Sequence, residues 1–148
     1  MANVQVGQEA PEFTLRDENN QEVKLSSLRG SPVVLVFYPA DFSPICTNEL
    51  CGIRDDFSAF KAKGAKVFGL SRDSSWAHRA FIEREGLKHS LLADMKGDVA
   101  RLYGCWNEQF AVAERLTGVI DAGGVVRYVV HNSAIQARDH KEAVAALG

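Results

Sequence analysis

Val33-Val34-Leu35-Val36-Phe37-Tyr38 runs directly into Pro39-Ala40-Asp41-Phe42-Ser43-Pro44-Ile45-Cys46-Thr47-Asn48-Glu49-Leu50-Cys51. The first six residues, apolar, β-branched and aromatic without interruption, read as a buried strand. Beyond them Leu50, Ile53, Phe57 and Phe60 recur at helical spacing. Pro39 ends the strand, because it has no N–H to give a ladder. Pro44 suits the first turn of a helix, where a missing N–H costs nothing, and Ser43 before it is an N-cap candidate. Two of the three cysteines therefore sit where a central strand gives way to a helix. Cys46 falls in the first turn, among backbone N–H groups without intrahelical partners and at the positive end of the helix dipole. Such a position favours the thiolate, the reactive form of cysteine. A lone cysteine is more often a small buried hydrophobe; the frame of Pro39, Ser43 and Pro44 tips the reading of Cys46 towards a nucleophile.

Outward from this junction, strands and helices alternate. The Cys46 helix is expected to run to Lys63-Gly64, and Val67–Ser71 reads as a second buried strand. Ser74 is placed to cap a helix carrying Trp76, Phe81 and Ile82 and ending at Gly86. Leu91–Ala93 is a short apolar piece, and Gly97 to Tyr103 is predicted helical. On the N-terminal side, Phe13–Arg16 and Glu22–Leu25 flank the turn-rich Asp17–Asn20 and predict a hairpin. Ser26–Gly30 reads as a short helical turn stopped by Gly30. Near the end, Leu116–Asp121 and Val125–Val130 flank Ala122-Gly123-Gly124, a strong hairpin signal, and Asp139 to Leu147 reads as a terminal amphipathic helix. The order argues for an α/β fold, a mixed sheet with helices on both faces.

With 148 residues, the chain is sized for one domain, residues 1–148. Apolar and charged fractions of 46% and 24% are those of a globular protein in water. A net charge of −2 gives no electrostatic reason to expect nucleic acid or an anionic membrane. No apolar run approaches a membrane span. Met1–Val6 carries neither a basic start nor an apolar core, so no secretory signal is expected and the cytoplasm is the expected compartment. Three cysteines in such a chain suggest redox or catalytic work rather than a disulfide framework. The four histidines, His78, His89, His131 and His140, make no zinc pattern with the cysteines and are read as surface residues.

Pro39-x3-Ser43-x2-Cys46, continued by Thr47 and Glu49, resembles the active-site motif of the peroxiredoxins, the AhpC/TSA superfamily. Ala10–Leu15 resembles that family's first strand, Tyr103–Glu108 the segment before its arginine strand, and Arg115–Asp121 the strand itself, with Arg115 at the active-site arginine position. Gly118 stands where the family commonly has a larger apolar residue. The resemblance covers nearly the whole chain. It implies a thioredoxin-like fold with an N-terminal β-hairpin extension, and a thiol-dependent peroxidase acting on hydrogen peroxide and organic hydroperoxides. It also implies no bound cofactor, recycling by a thioredoxin-like or glutaredoxin-like reductant, and a monomer or a homodimer.

On this reading Cys46 is the peroxidatic residue. Ser43 offers a hydroxyl to the peroxide, Arg115 brings a fixed positive fork, and Pro39 shapes the loop and excludes water. Without the resemblance, Ser43 is equally an N-cap and Arg115 an ordinary strand-edge arginine. Glu49 is either a solvated helix residue or the group that orients Arg115. Attack leaves a sulfenic acid, which a second thiol must resolve. Cys51 follows Cys46 by five positions, about 7.5 Å of helical rise, beyond the reach of a disulfide with both side chains on different faces. A Cys46–Cys51 bond therefore requires the first turns to unwind. This spacing is that of the bacterioferritin-comigratory, or PrxQ, subgroup; the Tyr103–Gln109 segment resembles the one-Cys AhpE-like branch equally well, and the Cys-bearing tail of typical two-Cys members is absent. Cys105 reads as a core residue, or else as an alternative resolving or intermolecular thiol. Two other functions fit the same fold: a peroxide sensor or redox-binding protein without turnover, and a general thiol–disulfide oxidoreductase, whose usual Cys-x-x-Cys is absent.

Overall fold

The computed structural model describes residues 4–138 and 140–147. A seven-stranded mixed sheet forms the frame. In chain order its strands are β1 (Thr14–Asp17), β2 (Glu22–Lys24), β3 (Val33–Phe37), β4 (Lys66–Ser71), β5 (Ser90–Ala93), β8 (Arg115–Ile120) and β9 (Val126–Asn132). A separate two-stranded ribbon, β6 (Trp106–Asn107) with β7 (Val112–Ala113), lies between β5 and β8 in sequence. The spatial order is β2-β1-β5-β4-β3-β8-β9. The β3–β4 and β4–β5 pairs are parallel, the usual result of a helical crossover. The N-terminal hairpin joins antiparallel through β1 to β5, and β8 joins antiparallel to β3.

β3 is buried along its length because both of its faces are covered. Val33, Leu35 and Phe37 enter a core with Leu70, Leu92, Tyr103, Cys105 and Leu116. Val34, Val36 and Tyr38 enter the opposite core, closed by helices α1 (Pro44–Asp55), α2 (Phe57–Ala62), α3 (Ser75–Glu85) and α5 (Lys141–Ala146). Helix α4 (Asp98–Leu102) covers the first face through Val99 and Ala100. The expected mixed sheet with helices on both faces is the one found.

Local signals held where they were strong. Ser74 caps α3, its Oγ accepting from the Ala77 N–H at 3.2 Å, and Gly86 ends the helix with φ of 64°. Gly118 pairs with Leu35 within β8, so the glycine does not interrupt the strand. Three expectations are corrected. The helix expected to run unbroken to Lys63-Gly64 breaks at Asp56, whose N–H folds back onto the Gly52 and Arg54 carbonyls and which ends α1 and precedes α2. His78 and His89 are buried rather than on the surface, 0% and 5% exposed, because α3 and the segment before β5 turn them inward. The terminal helix begins at Lys141; Asp139, where it was expected to start, lies outside the described residues.

Candidate active site

Helix α1 starts as the sequence predicts. Ser43, in extended conformation, is its N-cap, and Pro44 occupies the first turn. The Cys46 N–H donates to Ser43 Oγ at 3.4 Å, and the Thr47 N–H to the Ser43 carbonyl at 2.8 Å. The Cys46 N–H is thus engaged by the cap rather than left open. Because Ser43 Oγ accepts this bond, its own hydrogen remains to be donated, and no described residue takes it. Cys46 is wholly buried with Val34, Val36, Tyr38, Leu50 and Phe81, so its sulfur lies in a largely apolar setting. Pro39 is buried beside the end of β3.

Glu49, one turn beyond Cys46, lies on the same helix face and is buried. The two readings left open for it are resolved in favour of the arginine: Arg115 Nη1 donates to Glu49 Oε1 at 2.6 Å. Arg115 also donates from Nε to the Ala134 carbonyl at 2.9 Å, and its Nη2 has no protein partner among the described residues. One arm of the fork is therefore left for a ligand.

Arg138 carries no local signal in the sequence. It lies between β9 and α5, yet it is 9% exposed, and its side chain makes four hydrogen bonds, as many as Glu49 accepts. Its backbone N–H and Nε donate to Glu49 Oε2 at 2.7 and 3.2 Å. Nη2 reaches Glu49 Oε1 at 3.2 Å and the Phe37 carbonyl at 2.5 Å, and Nη1 reaches Thr117 Oγ1 at 3.0 Å. No local periodicity marks such a residue. The only hint was a carboxylate, Glu49, on the inward face of a helix. Burial alone would push the Glu49 carboxyl up, but Arg138 and then Arg115 outweigh it and hold the group below the ordinary carboxylate range. Two guanidiniums against one carboxylate leave an excess of positive charge in the core. Burial pulls the Arg138 guanidinium below its ordinary value, and Glu49 works against that pull.

Cys51, half-buried on the same helix, donates from Sγ to Glu85 Oε1 at 3.5 Å. Burial first, and then that bond, push its thiol above the ordinary value. Arg54 fastens the same place, Nη1 donating to the Glu85 carbonyl. Cys46, Cys51 and Cys105 are all free thiols, and α1 is unbroken between the first two. Cys105 is wholly buried in the core on the other side of the sheet, where burial pushes its thiol far above the ordinary range. The site thus brings Pro39, Ser43, Cys46, Glu49 and Arg115 to one end of β3, sets Cys51 one and a half turns along α1, and leaves Cys105 apart.

Residues 6–129 match the AhpC/TSA family. The chain is 41% identical to a chloroplastic peroxiredoxin Q of Suaeda salsa, over 95% of this chain and 65% of that protein. It is 41% identical to one of Sedum lineare, over 94% of this chain and 75% of that protein, and 42% identical to one of Arabidopsis thaliana, over 94% and 64%. The chain therefore spans about two thirds of the length of these relatives. Among solved structures, the peroxidoxin BcpB of Mycobacterium tuberculosis superposes with a TM-score of 0.89 at 32% identity, covering 98% of this chain and 97% of that one. AhpC of Enterococcus faecalis superposes with a TM-score of 0.89 at 26% identity, covering 97% and 90%. With these neighbours the mixed sheet and its hairpin extension are a thioredoxin-like fold.

Proposed function

The chain belongs to the AhpC/TSA family, and from that premise we propose that it is a thiol-dependent peroxidase reducing hydrogen peroxide and organic hydroperoxides. The observation that carries this reading is the placement of Cys46 at a capped helix N-terminus one turn from the Glu49–Arg115–Arg138 cluster. The Cys46 thiolate attacks one peroxide oxygen. The O–O bond breaks, the departing oxygen takes a proton and leaves as water or alcohol, and the sulfur becomes a sulfenic acid. Charge moves from sulfur onto oxygen during this step, so donors fixed beforehand lower its barrier. Ser43 Oγ–H and the open arm of Arg115 are those donors; Pro39 walls the loop; Glu49 and Arg138 position Arg115.

Cys51 then attacks the sulfenic sulfur. The S–S bond forms, the hydroxyl leaves with the Cys51 proton as water, and a thioredoxin-like or glutaredoxin-like dithiol restores both thiols. The Cys46-x4-Cys51 spacing and the peroxiredoxin Q relatives both favour Cys51 over Cys105 for this role. The protein works, on this reading, where thiols are kept reduced, with the cytoplasm as its compartment and either a monomer or a homodimer as its working form. A sensor without turnover is less favoured because Cys51 stands on the same helix to resolve Cys46, and a general disulfide oxidoreductase because the sequence has no Cys-x-x-Cys.

The test is peroxide consumption with a thioredoxin system by wild type and by Cys46→Ser. Loss of consumption in the variant is expected; equal rates would end the reading.

A further inference from the structure

Three polar side chains lie in the core beneath the loop that leads to Cys46, and the chemistry above uses none of them. Tyr38 and His78 are wholly buried, and the Asp41 side chain is 1% exposed. Tyr38 Oη donates to Asp41 Oδ1 at 2.5 Å; His78 Nδ1 lies 2.7 Å from Asp41 Oδ2, and His78 Nε2 lies 3.1 Å from the Leu92 carbonyl. A carbonyl has no hydrogen to give, so Nε2 carries one. Asp41 thus meets Tyr38 on one oxygen and His78 on the other, the Tyr38 hydroxyl also lying 3.5 Å from His78 Nδ1, and His78 and Asp41 form a buried polar pair.

Such a pair rarely adds stability over well-packed apolar groups; what it supplies is a fixed geometry. His78 comes from α3 and Asp41 from the loop after β3. The Asp41 N–H is held in turn by Asp73 Oδ2 at 2.8 Å, to which Ser71 Oγ also donates. The next residue, Phe42, has φ of 68°, a left-handed conformation that surrounding contacts must enforce in a residue of this size. Its ring packs on Phe81, one turn along α3 from His78, with centroids 4.9 Å apart. Helix α3 thus grips two successive residues of the corner, and the third is Ser43.

We propose that His78 is a positioning residue for the peroxide-reducing step: through Asp41 it holds the Asp41–Phe42–Ser43 corner so that Ser43 Oγ stays on the Cys46 N–H and its hydroxyl faces the substrate. This rests on the peroxidase reading. The variants His78→Asn and His78→Gln separate a positioning role from a merely structural one. The Asn amide nitrogen stands where Nδ1 stands and can still donate to Asp41; the Gln amide nitrogen stands where Nε2 stands and reaches Leu92 instead. Stopped-flow oxidation of Cys46 by hydrogen peroxide should remain within about threefold of wild type in His78→Asn. It should fall at least tenfold in His78→Gln and in His78→Leu, with the later disulfide-forming step no slower. Rates that instead follow the denaturant midpoints of the three variants, or a Gln variant faster than the Asn variant, would overturn the proposal. Wild type inert to peroxide sinks the peroxidase reading and this proposal with it, whereas an active wild type with an indifferent His78→Gln sinks this proposal alone.

Discussion

Glu49 Oε1 lies 2.6 Å from Arg115 Nη1, and the two side chains are 3% and 2% exposed. Removing one member of so buried a pair strands a charge, which costs about 3–5 kcal/mol. Glu49 here serves two guanidiniums, because Arg138 lies on its other oxygen. Glu49→Gln should therefore lower the unfolding free energy by about 3 kcal/mol or more and should also slow Cys46 oxidation, since Arg115 loses its orientation. Urea unfolding and stopped-flow oxidation read the two effects separately. A Glu49→Gln protein as stable as wild type would mean that water reaches the pair.

Arg138 makes a second prediction. Its contacts with Phe37, Glu49 and Thr117 tie α1 to β3 and β8. Arg138→Lys keeps a charge but loses the planar fork that meets acceptors on three residues at once. Peroxide reactivity should drop in Arg138→Lys, and Arg138→Ala should lose stability on the scale of Glu49→Gln. The double variant Glu49→Gln with Arg138→Ala should cost clearly less than the sum of the single costs, because the residues share one network. Additive losses would contradict the shared network.

Much of this site was legible in the chain, and the boundary has a physical cause. Pro39, Ser43, Pro44 and Cys46 act through local rules, strand termination and helix capping, which operate within a turn or two. The site that they build was therefore readable from its neighbours. The Glu49–Arg138 bonds join residues 89 positions apart, and nothing in the periodicity around Arg138 distinguishes it from a solvated arginine. His78 and His89 were misread for the same reason: their burial comes from packing against β5 and α1, not from their own segments. The break at Asp56 escaped because the apolar spacing of Leu50, Ile53, Phe57 and Phe60 continues across it.

The buried His89 gives a pH prediction. Burial is the largest influence on it and pulls its pKa down to about 4. The folded value is thus depressed below the unfolded value of about 6.5. The unfolded chain binds the extra proton, so stability rises with pH through this window and is lost as pH falls from about 6.5 towards 4. Between pH 7.5 and pH 5 this group alone accounts for about 2 kcal/mol. Glu49, also depressed, adds its loss only below the ordinary carboxylate range, as pH falls through its folded value. Urea midpoints at pH 5 and pH 7.5 should therefore differ markedly in wild type and much less in His89→Leu. An unchanged difference in the variant would assign the acid sensitivity elsewhere.

The last prediction concerns the resolving step. Cys46 and Cys51 share an intact α1, and a regular helix separates their Cα atoms by about 7.5 Å of rise, more than a disulfide spans. Glu85 and Arg54 hold the Cys51 end, and Ser43 holds the Cys46 end. Forming the bond must break one set of these contacts. The Ser43–Cys46 cap is a single bond of 3.4 Å, whereas Glu49 is bound to Arg115 and Arg138 and Cys51 to Glu85, so the first turn should open first and the Glu49 contacts must break as the unwinding reaches Cys51. Hydrogen exchange after one equivalent of peroxide should show protection lost in residues 44–51 and kept in 53–55. Cys51→Ser should form the sulfenic acid at the wild-type rate, keep its helix protected, and fail to turn over with thioredoxin. An oxidised protein with a Cys46–Cys51 bond and full protection of residues 44–51 would refute the unwinding.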